Sequence, residues 1–115
     1  MDDGCPEGSG KLAQAILSES AQEDEECRVL FLEDAIREGL PVVQGIETPS
    51  DSQKGGAVRL GLWNATRVQR RSRHIALFTD ADLSTHLGQV GLLVAPLADS
   101  NQLAAIASRR EPESV

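Results

Sequence analysis

The chain is poor in aromatic residues and in positive charge. Phe31, Trp63 and Phe78 are its aromatic residues, and it has no tyrosine. Proteins that bind single-stranded nucleic acid stack the bases on aromatic side chains, and binding to the phosphate backbone needs a basic surface. The formal net charge here is −7. We therefore expect no nucleic-acid partner.

Cysteines and long apolar runs are also scarce. The two cysteines, Cys5 and Cys27, do not form a C-x-x-C pair, so the sequence predicts neither a disulfide framework nor a zinc site of that type. We interpret both as free thiols in a reducing compartment and predict a cytoplasmic location. No apolar run approaches the ~18 residues of a membrane-spanning helix, and the acidic N-terminus does not resemble a signal peptide. We therefore expect no transmembrane segment.

Short apolar runs alternate with amphipathic segments along the 115 residues, a length typical of one domain. The runs that we interpret as strands are 27–32, 41–46, 74–79 and 103–107. The segments that we interpret as helices are 10–21, 33–38, 55–68 and 84–96. Leu12 and Ile16 share an apolar face of the first helix, and Val58, Leu62 and Ala65 share one on the third. Gly39 is expected to close the second helix, and residues 47–54 are expected to form a polar loop. Strands that are apolar on both faces indicate a sheet covered by helices on both sides. The pattern predicts an α/β fold with a Rossmann-like, mostly parallel sheet.

Two carboxylates, Asp80 and Asp82, follow one of the predicted strands. Ligands of parallel sheets bind beyond the carboxyl ends of the strands, and residues i and i+2 of an extended chain point to the same side. Converging carboxylates suit a hard cation such as Mg²⁺ or Mn²⁺. The alternative is structural: Asp80 begins a turn, and Asp82 caps a helix that starts near Ser84.

Two further segments extend this pattern. Residues 2–4 are a second acidic turn, and residues 54–56, Lys-Gly-Gly, open a predicted helix whose amides and ammonium group suit a phosphate. Arg109 and Arg110 either add phosphate contacts or belong to a solvated tail. Together these residues outline a site for a nucleoside diphosphate.

Three segments in this order, DDGCPEGSG, KGGAVRLGL and LFTDADLST, resemble the donor-binding half of a family 2 glycosyltransferase. The dolichyl-phosphate sugar transferases are the nearest comparison. The resemblance covers residues 2 to about 110 and implies a GT-A fold that binds a nucleotide-diphosphate sugar with Mg²⁺ or Mn²⁺. The nucleotide-sugar-binding residues that it implies are Asp2, Asp3, Lys54, Gly55, Asp80 and Arg109, and the metal ligands are Asp80 and Asp82.

The chain also departs from that family. The family usually begins with a strand that ends in a Pro-x-x-Asn-Glu-like turn, and this chain has no such strand. The acceptor-binding elements would lie beyond Val115, and we assign no catalytic base. We therefore expect a donor-binding part at 1–110 and a truncated tail at 111–115, with a sheet that is incomplete at both ends. Such a fragment is expected to be inactive alone and to associate through its exposed sheet edge.

Two other functions stay open at this stage. One is a non-catalytic binding or regulatory module that retains a vestigial nucleotide site. The other is a receiver-like phosphoacceptor domain, which also places acidic residues at the ends of parallel strands. The receiver-like alternative assigns no role to KGGAVRLGL.

Overall fold

The computed structural model describes residues 1–20, 27–67, 74–82, 85–99 and 101–107. The chain divides into two compact units, Met1–Arg71 and Ser72–Val115. The α-helices are α1 (Ser9–Ser20), α2 (Leu32–Arg37), α3 (Pro49–Ser52), α4 (Lys54–Thr66) and α5 (Val90–Asp99). Two 3₁₀-helices span Pro41–Val43 and Leu87–Gln89.

The predicted α/β fold with a parallel sheet is wrong. The described residues contain no sheet, and a single isolated parallel bridge joins Asp2 to Phe31. Of the segments predicted as strands, 41–43 is a 3₁₀-helix and 74–79 has no regular secondary structure. A short apolar run fits a buried helix or turn as well as a strand, because its periodicity does not separate them. The expected association through a sheet edge loses its basis with the sheet.

The core of the first unit forms where α2 and the first 3₁₀-helix pack against α4. Its buried side chains are Leu32, Ala35, Val43 and Leu60, and Leu32 is fully buried. The Arg59 side chain on α4 also donates hydrogen bonds to the Val42 carbonyl. One helix thus organises the unit through apolar contacts and through an arginine bonded to the backbone.

The helices predicted in the first unit are confirmed, although the buried faces differ. The structure begins α1 at Ser9 and α4 at Lys54, each one residue before the predicted start. Leu12 and Ile16, expected on a buried face of α1, are 64% and 55% exposed. On α4 the buried residues are Gly56, Ala57 and Leu60, whereas the sequence favoured Val58, Leu62 and Ala65. Packing against α2 and the first 3₁₀-helix therefore buries a face of α4 that the hydrophobic periodicity of the sequence did not identify.

The second unit contains the second 3₁₀-helix and α5. The sequence predicted that its helix ends near Pro96, but α5 includes Pro96 and continues to Asp99. Leu103 and Ile106, expected in a buried strand, are 98% and 92% exposed. Across both units, none of the helices in the described ranges is long and apolar enough to cross a membrane.

The short helix α3 lies in a segment that we expected to be a loop, and a capping box stabilises its start. The Thr48 backbone amide donates to Asp51 Oδ2 at 2.7 Å. This hydrogen bond is the main reason that the pKa of Asp51 lies below its ordinary value, and a hydrogen bond from the Thr48 hydroxyl is the second. A lowered carboxyl pKa contributes stability that is present above the unfolded-state pKa and is lost as the pH falls through the folded-state pKa.

We therefore predict that Asp51→Asn lowers the free energy of unfolding at pH 7, and that its difference from wild type shrinks below about pH 4. Urea denaturation at pH 7 and at pH 3 measures both differences. Glu47→Gln changes the charge equally on a neighbouring exposed side chain and serves as the control. An Asp51→Asn effect of equal size at both pH values would contradict this assignment.

Candidate functional site

The carboxylate of Asp2 closes the acidic turn at the N-terminus. Asp2 Oδ1 accepts a hydrogen bond from the Gly4 amide at 3.0 Å, and Oδ2 accepts one from the Gly10 amide at 3.1 Å. The Asp2 backbone is also paired, because its amide donates to the Leu30 carbonyl at 2.8 Å and its carbonyl accepts from the Leu32 amide at 3.0 Å. Asp2 thus joins the turn, the start of α1 and the start of α2.

Gly10 and Phe31 are structural partners of Asp2 that the sequence did not reveal. Gly10 is buried, and a methyl group in its place would lie 2.7 Å from Asp2 Oδ2 and 2.6 Å from Phe31 Cε1. A glycine in the first turn of a helix costs helix stability, so its presence was the signal that another group approaches closely. Asp3, next to Asp2, is exposed.

The Lys-Gly-Gly segment begins α4 directly after a sharp backbone turn. Gln53 has φ 48°, a left-handed conformation that is rare for a side-chain-bearing residue. Lys54 and Gly55 are both exposed, and a methyl group on Gly55 would meet nothing within 4 Å. Gly56 is buried, and a methyl group there would lie 3.0 Å from Ile46 Cδ1. One glycine of the pair therefore faces open space, and the other allows close packing.

Residues 1–4 pack against α3 and α4 within the first unit. The Met1 thioether lies against Gly61 of α4, and a methyl group on Gly4 would come within 2.9 Å of the Pro49 Cβ. The acidic turn and the segment that leads into α4 therefore belong to one packed unit. Three predicted nucleotide-binding residues, Asp3, Lys54 and Gly55, are exposed on that unit.

The predicted metal ligands lie in the second unit. Asp80 ends the irregular segment 74–80, Asp82 lies in the following turn, and both are exposed. Residues 81 and 82 form a turn after Asp80, as the structural alternative predicted. Thr85 and His86 are not helical, and the cap assigned to Asp82 involves residues 83–84, which lie outside the described residues. The other predicted phosphate contact, Arg109, lies outside the described residues.

Asp80 and Asp82 supply hard oxygen donors of the kind that Mg²⁺ and Mn²⁺ prefer. In the part of the chain that the structure describes, no three His, Cys, Asp or Glu side chains form a group that could hold a metal ion. Mg²⁺ is commonly bound by one or two carboxylates, with water and substrate phosphates completing its shell. Metal binding at Asp80 and Asp82 therefore stays a prediction.

The Cys5 thiol follows the acidic turn at 2–4 and lies close to the start of α1. Its Sγ lies 3.1 Å from the Ser9 hydroxyl. That hydroxyl, the Ser9 backbone amide and the Glu7 backbone amide lower the pKa of Cys5 from its ordinary value. Hydrogen bonds to the charged form favour the thiolate, which is the nucleophilic species.

Comparison of the chain with protein-family models, with curated proteins and with solved structures gives no significant match. Residue chemistry and the motif resemblance are therefore the basis of the functional proposal.

The two glycines of α4 are predicted to respond differently to the same substitution. Gly56→Ala should lower the free energy of unfolding by about 1–3 kcal/mol, because the added methyl would clash with the Ser52 hydroxyl and overpack the contact with Ile46 and Leu32. Gly55→Ala should leave it unchanged or raise it by up to about 1 kcal/mol, because alanine restricts the unfolded chain more than glycine. Urea denaturation compares the pair, and equal effects would contradict this packing.

The second prediction for this region concerns the Cys5 thiol. In a Cys27→Ser background, Ser9→Ala should move the pH midpoint of iodoacetamide alkylation upward, because the thiolate loses its main hydrogen-bond donor. Ser18→Ala is the matched control, since that hydroxyl donates to the Ala15 carbonyl at 2.7 Å. An unchanged midpoint in Ser9→Ala would refute the role of the hydroxyl.

Proposed function

We propose that this chain binds a nucleotide-diphosphate sugar together with Mg²⁺ or Mn²⁺, as the donor-binding part of a glycosyltransferase. The observation that carries the proposal is the order of three short segments: the acidic turn at 2–4, the Lys-Gly start of α4 and the Asp-Ala-Asp at 80–82. The parallel-sheet fold is not part of the proposal, because the described residues form helices instead.

The first unit supports the nucleotide part of the proposal through exposure and chemistry. Asp3 is an exposed acceptor for the donor groups of a nucleoside. Lys54 brings an ammonium group to the start of a 13-residue helix, where backbone amides and the helix dipole favour a phosphate. The open space at Gly55 would let a phosphate oxygen approach the backbone.

The second unit supports the metal part. Asp80 and Asp82 would hold the cation, which commonly takes its remaining ligands from water and phosphate oxygens. When bound, the cation would neutralise charge on the departing nucleotide in an intact enzyme. The same carboxylates without a metal would repel a diphosphate, so the proposal requires that the metal raise the affinity for nucleotide.

Catalytic turnover needs an oriented acceptor and a group that removes its proton. We identify no such base in this sequence, so binding without turnover is the expected behaviour of the chain alone. A non-catalytic module with a vestigial nucleotide site would also bind without turnover. The cytoplasmic location stays a prediction, based on the two free cysteines.

Calorimetric titration with UDP-linked and GDP-linked hexoses, with and without Mn²⁺, tests the proposal. Mn²⁺ should tighten binding of at least one nucleotide sugar. Asp3→Ala and Lys54→Ala should each weaken binding about tenfold, the low end of the worth of one hydrogen bond to a charged group. Asp82→Asn should remove the Mn²⁺ dependence.

Matched controls separate these effects from net charge. Glu7→Gln and Glu38→Gln remove one negative charge each, and Lys11→Ala removes one positive charge, all from exposed side chains. These three variants should bind as wild type does. Absence of binding to every nucleotide sugar at millimolar concentration, or equal losses in the controls, would refute the proposal.

A further inference from the structure

The Asp2 carboxylate uses both of its oxygens within the protein. Oδ1 accepts from the Gly4 amide and Oδ2 from the Gly10 amide, at 3.0 and 3.1 Å. Asp2 is also partly buried, whereas Asp3 is exposed. The sequence offered Asp2 and Asp3 as equivalent candidates for a nucleoside contact. The structure distinguishes them, because the Asp2 carboxylate is bonded to backbone amides whereas Asp3 is exposed to solvent.

These two hydrogen bonds determine the shape of the turn. Hydrogen bonds to a carboxylate are about twice as strong as neutral ones, and this pair joins the amides on either side of residues 5–9. Gly4 takes φ 93°, which an L side chain rarely adopts, and Gly10 leaves the space that the Asp2 carboxylate occupies. Hydrogen bonds therefore fix the residues on both sides of Asp3, namely Asp2 and Gly4.

We infer that Asp2 is a positioning residue, whose carboxylate holds the turn so that Asp3 contacts the nucleoside. This role rests on the proposed nucleotide-sugar binding. Asp2 acts through Asp3, so its contribution to affinity exists only while the Asp3 carboxylate is present. Asp3 accepts the hydrogen bond from the ligand, and Gly10 is required because any side chain there would displace Asp2.

A double-mutant cycle in nucleotide affinity tests this role. The four proteins are wild type, Asp2→Ala, Asp3→Ala and the double variant, titrated with UDP-linked and GDP-linked hexoses in Mn²⁺. Each single substitution should weaken nucleotide binding about tenfold relative to wild type. The double variant should also lose only about tenfold, because the two changes remove the same contact. Independent contacts would give about 100-fold.

Loss of folded protein would give a different set of affinities in this cycle from the one expected for a positioning role. Partial unfolding lowers affinity by the same factor whether residue 3 is Asp or Ala, so it is additive in the cycle. Circular dichroism and thermal melts measure the folded fraction. If Asp2→Ala does not fold, Asp2→Asn replaces it, because an amide oxygen still accepts one of the two hydrogen bonds.

The outcomes separate the two proposals. A non-additive cycle supports the positioning role. Binding by wild type with an additive cycle overturns the positioning role and leaves nucleotide binding standing. No binding of any nucleotide sugar by wild type overturns the proposed function, and with it the role of Asp2.

Discussion

The burial of Leu32 against α4 is the interaction on which the rest of the first unit depends. Its side chain is fully buried, and a methyl group on Gly56 would lie 3.1 Å from Leu32 Cδ2, so the helix approaches closely because a glycine faces the leucine. Burying a leucine side chain contributes about 1.5–3 kcal/mol, and the close fit adds dispersion contacts that a wider gap would lose. The same residue is the first of α2.

Leu32 also connects the core to the candidate site. While its side chain packs on α4, its backbone amide donates to the Asp2 carbonyl at 3.0 Å. The acidic turn is thus attached to the most buried residue of the unit, and the Asp2 carboxylate extends this attachment to Gly4 and Gly10. A preorganised turn of this kind loses less conformational entropy on binding a ligand than a free one.

Helices were predictable where the sequence pattern had clear ends. For α1, α2 and α4 the predicted bounds lie close to those observed, and Gly39, expected to close α2, takes φ 65° just beyond it. Short apolar runs misled the prediction of strands. Of these, 27–32 contributes one bridge at Phe31 and then the start of α2, because Leu32 finds its apolar partner on a helix rather than on a neighbouring strand.

The sequence by itself determined the chemistry that the chain offers: neighbouring aspartates, a lysine followed by two glycines, two cysteines and a negative net charge, since these depend only on residue type. It also determined where the longer helices form, because capping and periodicity are local. The tertiary structure alone decided that Asp2 is bonded within the chain while Asp3 is exposed, and that Gly56 packs while Gly55 is open. Identical neighbouring residues have the same intrinsic chemistry, and only contacts with residues distant in sequence, such as Gly10 and Leu32, make them different.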